Sequence, residues 1–253
     1  MHKQLMHEKF LKQALTKAWC GRGFVAPNPA VGAVAVRGET VVASAFHEGV
    51  GHDHAEKRVL DELACDCEDI TLYITLEPCN HFGRTPPCVD AIIANKVRRV
   101  VYAYQDPNPL VVSRNTPELL RAHGIEVIHY PMPEINAFYA SYAHWIKTGR
   151  PWVTVKIAQS LDGKVAGKNS KRVQLSNATC DQFTQYSRQH TDVILTSTRT
   201  ILIDNPYFTA RYQDKVQQKP VAVIGHTKLE GDLNILSTAK ALYTYQTHNL
   251  SDV

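Results

Sequence analysis

Two β-rich runs, Val31 to Val36 and Thr40 to Phe46, are split by Arg37-Gly38-Glu39, the signature of a hairpin. Beyond the hairpin the pattern changes in kind. Helical spacing runs from His54 to Leu63, a strand from Ile70 to Leu76 and a helix from Pro86 to Asn95. A strand from Val97 to Tyr104, a helix from Thr116 to His123, a strand from Ile125 to Tyr130 and a helix from Glu134 to Lys147 continue the alternation. An antiparallel start succeeded by alternating helix and strand predicts an α/β fold with a mixed sheet covered by helices on both faces. Ahead of the hairpin, Lys3 to Cys20 reads as an amphipathic helix, with Leu5, Leu11, Leu15, Ala18 and Trp19 near one face. Gly21 to Pro29 reads as a loop.

Gly149-Arg150-Pro151 marks a break, because proline resists continuation of the preceding helix. The expected domains are therefore residues 1–148 and 149–253. A new β pattern opens at Trp152 and runs to Ala158. A helix near Thr179 to Gln189 and strands at Asp192–Thr196 and Pro220–Ile224 come next, the start of a second α/β unit. The formal net charge of +4 is mild and spread along the chain. It suits a phosphate-bearing small substrate better than a nucleic-acid groove, which needs a concentrated basic stripe. The first ten residues are too charged for a secretory segment and no 18-residue apolar run occurs, so the expectation is a cytoplasmic protein without a membrane partner.

His54-Ala55-Glu56 and the run from Pro78 to Cys88 carry the chemistry. One imidazole and two thiols give Zn²⁺ three protein ligands and leave the fourth tetrahedral position to water, whose pKa the metal lowers to about 7. Glu56, not needed as a ligand, is then placed to carry the water's proton to a departing amine. The alternative is a structural zinc site, which needs a fourth protein ligand and usually shows short Cys-x₂₋₄-Cys spacing. Here eight residues separate Cys79 from Cys88, with Pro78 before the first thiol and Pro86-Pro87 before the second. Those prolines suit the opening of a helix that presents Cys88 at its positive end, where a thiolate is stabilised. His54 and Glu56 diverge once a helix is regular, so both reach one pocket only near its first turn. The remaining cysteines suggest no disulfide framework, and Cys65-Asp66-Cys67 reads as a pair of loop thiols.

Together with Pro27-Asn28-Pro29-x-Val31-Gly32 and Gln105-Asp106-Pro107-Asn108-Pro109, these motifs make the chain resemble the bifunctional riboflavin-biosynthesis deaminase–reductases, from about Leu11 to about Arg211. Cytidine and tRNA-adenosine deaminases share the His-Ala-Glu element, but their second motif is the tighter Pro-Cys-x-x-Cys form. The resemblance implies a cytidine deaminase-like mixed sheet flanked by helices, followed by a partial dihydrofolate reductase-like α/β domain. It implies hydrolytic deamination of a diamino-ribosylamino-pyrimidinone phosphate, with His54, Cys79 and Cys88 on Zn²⁺ and Glu56 as general acid and base. Asn28, His47, His81, Arg84, Asp106 and Asn108 stand where the family holds pyrimidine, ribose and phosphate. Arg84 offers a planar fork for an anion, and the two asparagines carry both a donor and an acceptor. The rim Glu48-Gly49-Val50-Gly51-His52-Asp53 departs from the family, which has a basic residue and a proline there.

In the second half the resemblance implies reduction of the ribose by NADPH. Lys156, Ala158, Arg188, Thr200, Asp204 and Arg211 match the family pattern. Ser170-Lys171-Arg172-Val173-Gln174 does not: Arg172 and Gln174 stand in place of a small hydroxyl and an indole. No glycine-rich segment suited to a pyrophosphate occurs after Gly167. The expectation is a truncated reductase remnant, with NADPH as a cofactor only if that domain works. Residues 151–253 are then expected to pack on the first domain or to mediate a homodimer, and a separate reductase partner would complete the chemistry. A working bifunctional enzyme and a zinc-retaining scaffold are the alternatives.

Overall fold

Phe10, Leu11, Ala14 and Ala18 line the buried face of α1 (His2–Gly21). Their i, i+4, i+8 spacing sets that face against a sheet. The computed structural model describes residues 2–63, 67–83, 85–112, 115–168 and 173–245, and it divides into two compact units, Met1–Val153 and Thr154–Val253.

In the first unit, β1 (Gly32–Arg37) and β2 (Thr40–Phe46) form the antiparallel hairpin, turning at Gly38, whose φ of 63° suits a residue without Cβ. β3 (Ile70–Leu76) joins the other side of β1 antiparallel, and β4 (Arg99–Tyr104) and β5 (Glu126–His129) extend the sheet in parallel. The resulting order is β2-β1-β3-β4-β5, a mixed sheet as expected. Between the strands lie α2 (Ala55–Leu63), α3 (Cys88–Ala94), the short α4 (Pro109–Val112), α5 (Thr116–Ala122) and α6 (Pro133–Thr148). Tyr73 and Thr75, two residues apart on β3, share a face. Tyr73 meets the Phe10 ring of α1 with centroids 5.1 Å apart, and Thr75 Oγ1 bonds Tyr139 Oη of α6 at 2.7 Å. Thus α1 and α6 cover one side of the sheet, while α2 packs over β1 and β2 beside α3 on the other.

Two glycines are required by this arrangement. A Cβ on Gly32 would sit 2.0 Å from the Ala14 carbonyl oxygen and 2.6 Å from the Ala18 nitrogen, so α1 can lie this close to β1 only over a glycine. Gly149 ends α6 at φ 65°, its N–H donating to Trp145 O at 2.8 Å.

The second unit has a parallel sheet of β6 (Ile194–Ser197), β9 (Pro220–Ile224) and β10 (Ala241–Tyr245), ordered β10-β9-β6, and a small hairpin of β7 (Ala210–Tyr212) and β8 (Lys215–Gln217). With α7 (Ala178–Gln189), α8 (Thr198–Asp204) and α9 (Asn234–Thr238), it closes on a small core of Ile201, Phe208, Val221, Val223 and Ile235. The strand expected from Trp152 to Ala158 does not form. The stretch pairs with no strand among the described residues, and Trp152 and Val155 are 56% and 74% exposed. β-branched runs are strand formers only where a pleated, half-buried surface receives them, and none does here. Among the described residues no helix is long and apolar enough to cross a membrane.

Candidate metal centre

The chain leaves β3 through Glu77 and Pro78 into Cys79, crosses to Cys88, and enters α3 at that residue. The expected helix from Pro86 therefore starts two residues later, with Pro87 as its cap. The Cys88 N–H donates to Cys79 Sγ at 3.3 Å and the Val89 N–H to the Cys79 carbonyl at 3.2 Å, which folds the two thiols together. His54 lies just ahead of α2, where its carbonyl accepts the Arg58 N–H at 3.1 Å, and Glu56 sits in the first turn. That placement answers the difficulty of a two-residue spacing: one side chain leaves from outside the helix and the other from its start.

His54 Nδ1 lies 3.2 Å from Cys88 Sγ and 3.5 Å from Cys79 Sγ, and the three candidate donor atoms fall within 4.8 Å of one another. Bonds of about 2.3 Å to sulfur and about 2.0 Å to nitrogen at a tetrahedral angle separate their outer atoms by roughly 3.5 Å. The donor set therefore fits zinc. Glu56 is only 3% exposed, and its Oε2 has no hydrogen-bond partner among the described residues. Burial pushes its carboxyl up to about 7. Hydrogen bonding to Cys79 lifts His54 to about 9. The hydrogen bond from Cys88 holds Cys79 down to about 4, and the same bond with burial pushes Cys88 up. Without metal the cluster thus shares protons that a cation must displace.

Around this core, His47 is buried and both its nitrogens are engaged. Nδ1–H donates to the Asp53 carbonyl at 3.2 Å, and Nε2 accepts from Asn28 Nδ2 at 3.1 Å. Its ring stands edge-on to His54 at 5.2 Å, and burial lowers its pKa. Thr85 Oγ1 lies 3.4 Å from His54 Nε2. A cavity of about 270 Å³ is lined by Asp53, His54, Lys57, Thr85, Pro87 and Cys88, among others.

Asp106 is buried, and its charge environment includes His81 and Cys79. Its Oδ1 accepts the Asn108 N–H at 2.9 Å and the Tyr142 hydroxyl at 3.1 Å. Burial pushes both Asp106 and the neighbouring Glu77 up, and Glu77 Oε2 takes the Asp106 N–H at 3.4 Å. The Asn108 side chain accepts the Leu110 N–H at 3.1 Å, so its oxygen serves the turn into α4. His81 Nδ1 is buried with no hydrogen-bond partner among the described residues. Arg84 lies outside the described residues, as do Cys65 and Asp66 of the expected loop-thiol pair; Cys67 is buried in the core. Sequence reasoning missed Glu77, Thr85 and Tyr142. Thr85 stands inside a motif already singled out, whereas nothing local marks Tyr142.

In the second unit, Lys156 is exposed on the unpaired stretch, with Ala158 beyond it. Arg188 donates to Thr209 O at 3.3 Å and stacks over Phe208, and burial followed by the charge of Arg211 lowers its pKa. Arg211 is exposed and lies over the Tyr207 ring. The Thr200 N–H donates to Ser197 Oγ at the start of α8, and Asp204 is exposed at the other end.

Comparison with known proteins gives two family matches, the cytidine and deoxycytidylate deaminase zinc-binding region over residues 5–104 and the RibD C-terminal domain over residues 151–250. Riboflavin biosynthesis protein RibD of Aquifex aeolicus is 36% identical over 238 residues, covering 94% of this chain and 65% of the relative. RibD of Bacillus amyloliquefaciens is 39% identical over 230 residues, covering 88% and 60%. The chain thus spans less than two-thirds of the length of these sequence relatives. Among solved structures, a diaminohydroxyphosphoribosylaminopyrimidine deaminase/5-amino-6-(5-phosphoribosylamino)uracil reductase from Thermotoga maritima superposes with a TM-score of 0.86 at 32% identity, covering 96% of this chain and 71% of that one.

Proposed function

Because this chain belongs to the RibD family of riboflavin biosynthesis proteins, we propose that residues 1–148 are a zinc-dependent deaminase. Its substrate is 2,5-diamino-6-ribosylamino-4(3H)-pyrimidinone 5′-phosphate, from which water displaces the ring amine at C2 as ammonia. The observation that carries this reading is Glu56, a buried carboxylate with an unpartnered oxygen beside a three-donor cluster. A purely structural site has no use for it.

His54, Cys79 and Cys88 would hold the metal. Zinc, when bound, supplies Lewis-acid chemistry that makes water nucleophilic at neutral pH. Glu56 accepts the proton of the attacking water and returns it to the departing nitrogen. Buried beside the cluster, with one oxygen free of hydrogen-bond partners among the described residues, the carboxyl is placed to take up a proton and give it back. As the C–N bond breaks, the amine leaves as ammonia and the ring keeps the oxygen. The Asn28–His47 pair and His81 flank the base, Asp106 and Asn108 contact the ribosyl part, and Arg84 takes the phosphate through its guanidinium fork.

Residues 149–253 contain no glycine-rich segment suited to a pyrophosphate after Gly167. The cavity at the carboxyl ends of β6, β9 and β10, lined by Thr198, Gly225 and Tyr245 among others, has about 190 Å³. We therefore assign this region no NADPH oxidation of its own. A second reading, a working reductase, is favoured by the match of residues 151–250 to the RibD C-terminal domain. One cuvette distinguishes the two. Freshly made pyrimidinone phosphate is supplied with NADPH, and ammonia release and NADPH absorbance are followed together. Ammonia without NADPH loss supports the first reading, ammonia with NADPH loss the second, and no ammonia from zinc-loaded protein overturns both.

A further inference from the structure

The eight residues between Cys79 and Cys88 are far more than a compact thiol pair needs, and Thr85 is what the extra length brings to the cluster. The His54 ring has two distinct nitrogens. Nδ1 faces both sulfurs, at 3.2 and 3.5 Å, while Nε2 faces Thr85 Oγ1 at 3.4 Å. A neutral imidazole carries one N–H and one lone pair. Nδ1 can offer its lone pair among the thiols only if the proton sits on Nε2, and a proton there needs an acceptor.

His47, the other ring against His54, cannot serve as that acceptor. Its Nδ1 is engaged with the Asp53 carbonyl and its Nε2 with the Asn28 amide. Thr85 is half-buried and lines the same cavity as His54. We propose that Thr85 is a positioning residue for the metal centre: its hydroxyl accepts the His54 Nε2–H, fixes the tautomer that leaves Nδ1 as donor, and holds the ring turned toward the two sulfurs. The inference rests on the reading of His54, Cys79 and Cys88 as zinc ligands. It assigns the long inter-cysteine loop a task, the supply of two metal ligands and the outer partner of the third from one segment.

The test is zinc transfer from the full-length, zinc-loaded chain to a chromogenic chelator, for the wild type, Thr85→Val and Thr85→Ser. Valine keeps the shape and removes the hydroxyl, whereas serine keeps the hydroxyl. Loss of an outer partner to a ligating histidine weakens metal binding by about 10–100-fold. Thr85→Val is expected to lower zinc affinity by that factor, while Thr85→Ser stays within about threefold of wild type. In the zinc-loaded proteins, a ¹H–¹⁵N spectrum of the histidine rings should show the His54 Nε2–H protected from solvent exchange in the wild type and exchanging faster in Thr85→Val. Equal zinc affinity in all three proteins overturns the inference, as does equal loss in both variants, which would make the role one of packing. A wild-type chain that holds no zinc overturns the site reading itself, a result the variants cannot mimic.

Discussion

The hydroxyl of Tyr142 donates to Asp106 Oδ1 at 3.1 Å, sharing that oxygen with the Asn108 N–H. Helix α6 is thereby fastened to the loop that carries two of the proposed substrate contacts. Tyr142→Phe removes the donor and leaves the buried carboxylate less satisfied, at a cost of about 1–2 kcal/mol measurable by urea unfolding. KM for the pyrimidinone phosphate is expected to rise several-fold with kcat nearly unchanged. A fall in kcat at constant KM would instead place Asp106 in the chemical step.

Glu56→Gln keeps shape and burial while removing the proton carrier. Zinc content by elemental analysis should stay near one per chain. Ammonia release should fall by about 10²–10⁴-fold, the usual worth of a positioned acid or base. Loss of zinc in this variant would make Glu56 a ligand.

Removing the metal should destabilise the first unit, because the cluster forms only on folding. A ligand present at about 1,000 times its Kd stabilises by about 4 kcal/mol, so a chelator should lower the melting temperature and added zinc restore it. Cys79→Ser and Cys88→Ser should lower zinc content and turnover together. Their melting temperatures should respond little to chelator.

Lys219, only 1% exposed, donates to the Gln189 carbonyl at 3.1 Å, and burial lowers its pKa to about 8 from an ordinary 10.5. Between these values the unfolded chain holds a proton that the folded chain has released. Stability of the second unit therefore rises with pH across that window, by up to about 3 kcal/mol, and the gain is absent below it. In Lys219→Met this rise should vanish. Urea unfolding of both proteins at pH 7 and pH 10 reads the difference.

Gly32→Ala places a Cβ against the Ala14 carbonyl, which the helix backbone cannot vacate without tilting α1. Overpacking of this kind costs about 1–3 kcal/mol or more. The adjoining residue Val31 accepts the His47 N–H at 3.0 Å. Thermal melting should therefore drop, and turnover should drop with it even below the transition.

The hairpin at residues 31–46 and the strands beyond it were legible because their side chains face one dominant core, where the two-residue period and burial agree. The convergence of His54, Cys79 and Cys88, with Glu56 beside them, was legible because few chemistries use that set. Tyr142 was not, since its partner Asp106 lies 36 residues away and only the packing of α6 brings them together. The run from Trp152 to Ala158 misled for the opposite reason: its composition suits a strand, but pairing depends on a neighbour that local sequence does not encode. Asn108 shows a third limit. An asparagine between prolines carries the same letters whether it contacts a substrate or closes a turn; here its oxygen closes the turn onto Leu110, and the substrate role proposed for it falls to its amide nitrogen.

Every described residue of the metal centre and its surroundings, from Asn28 to Tyr142, belongs to the first compact unit. Arg188 and Lys219, buried or partly buried in the second unit, are none of the proposed ligands, base or loop anchors. The proposed ligands, base and substrate contacts that the structure describes all lie before residue 153.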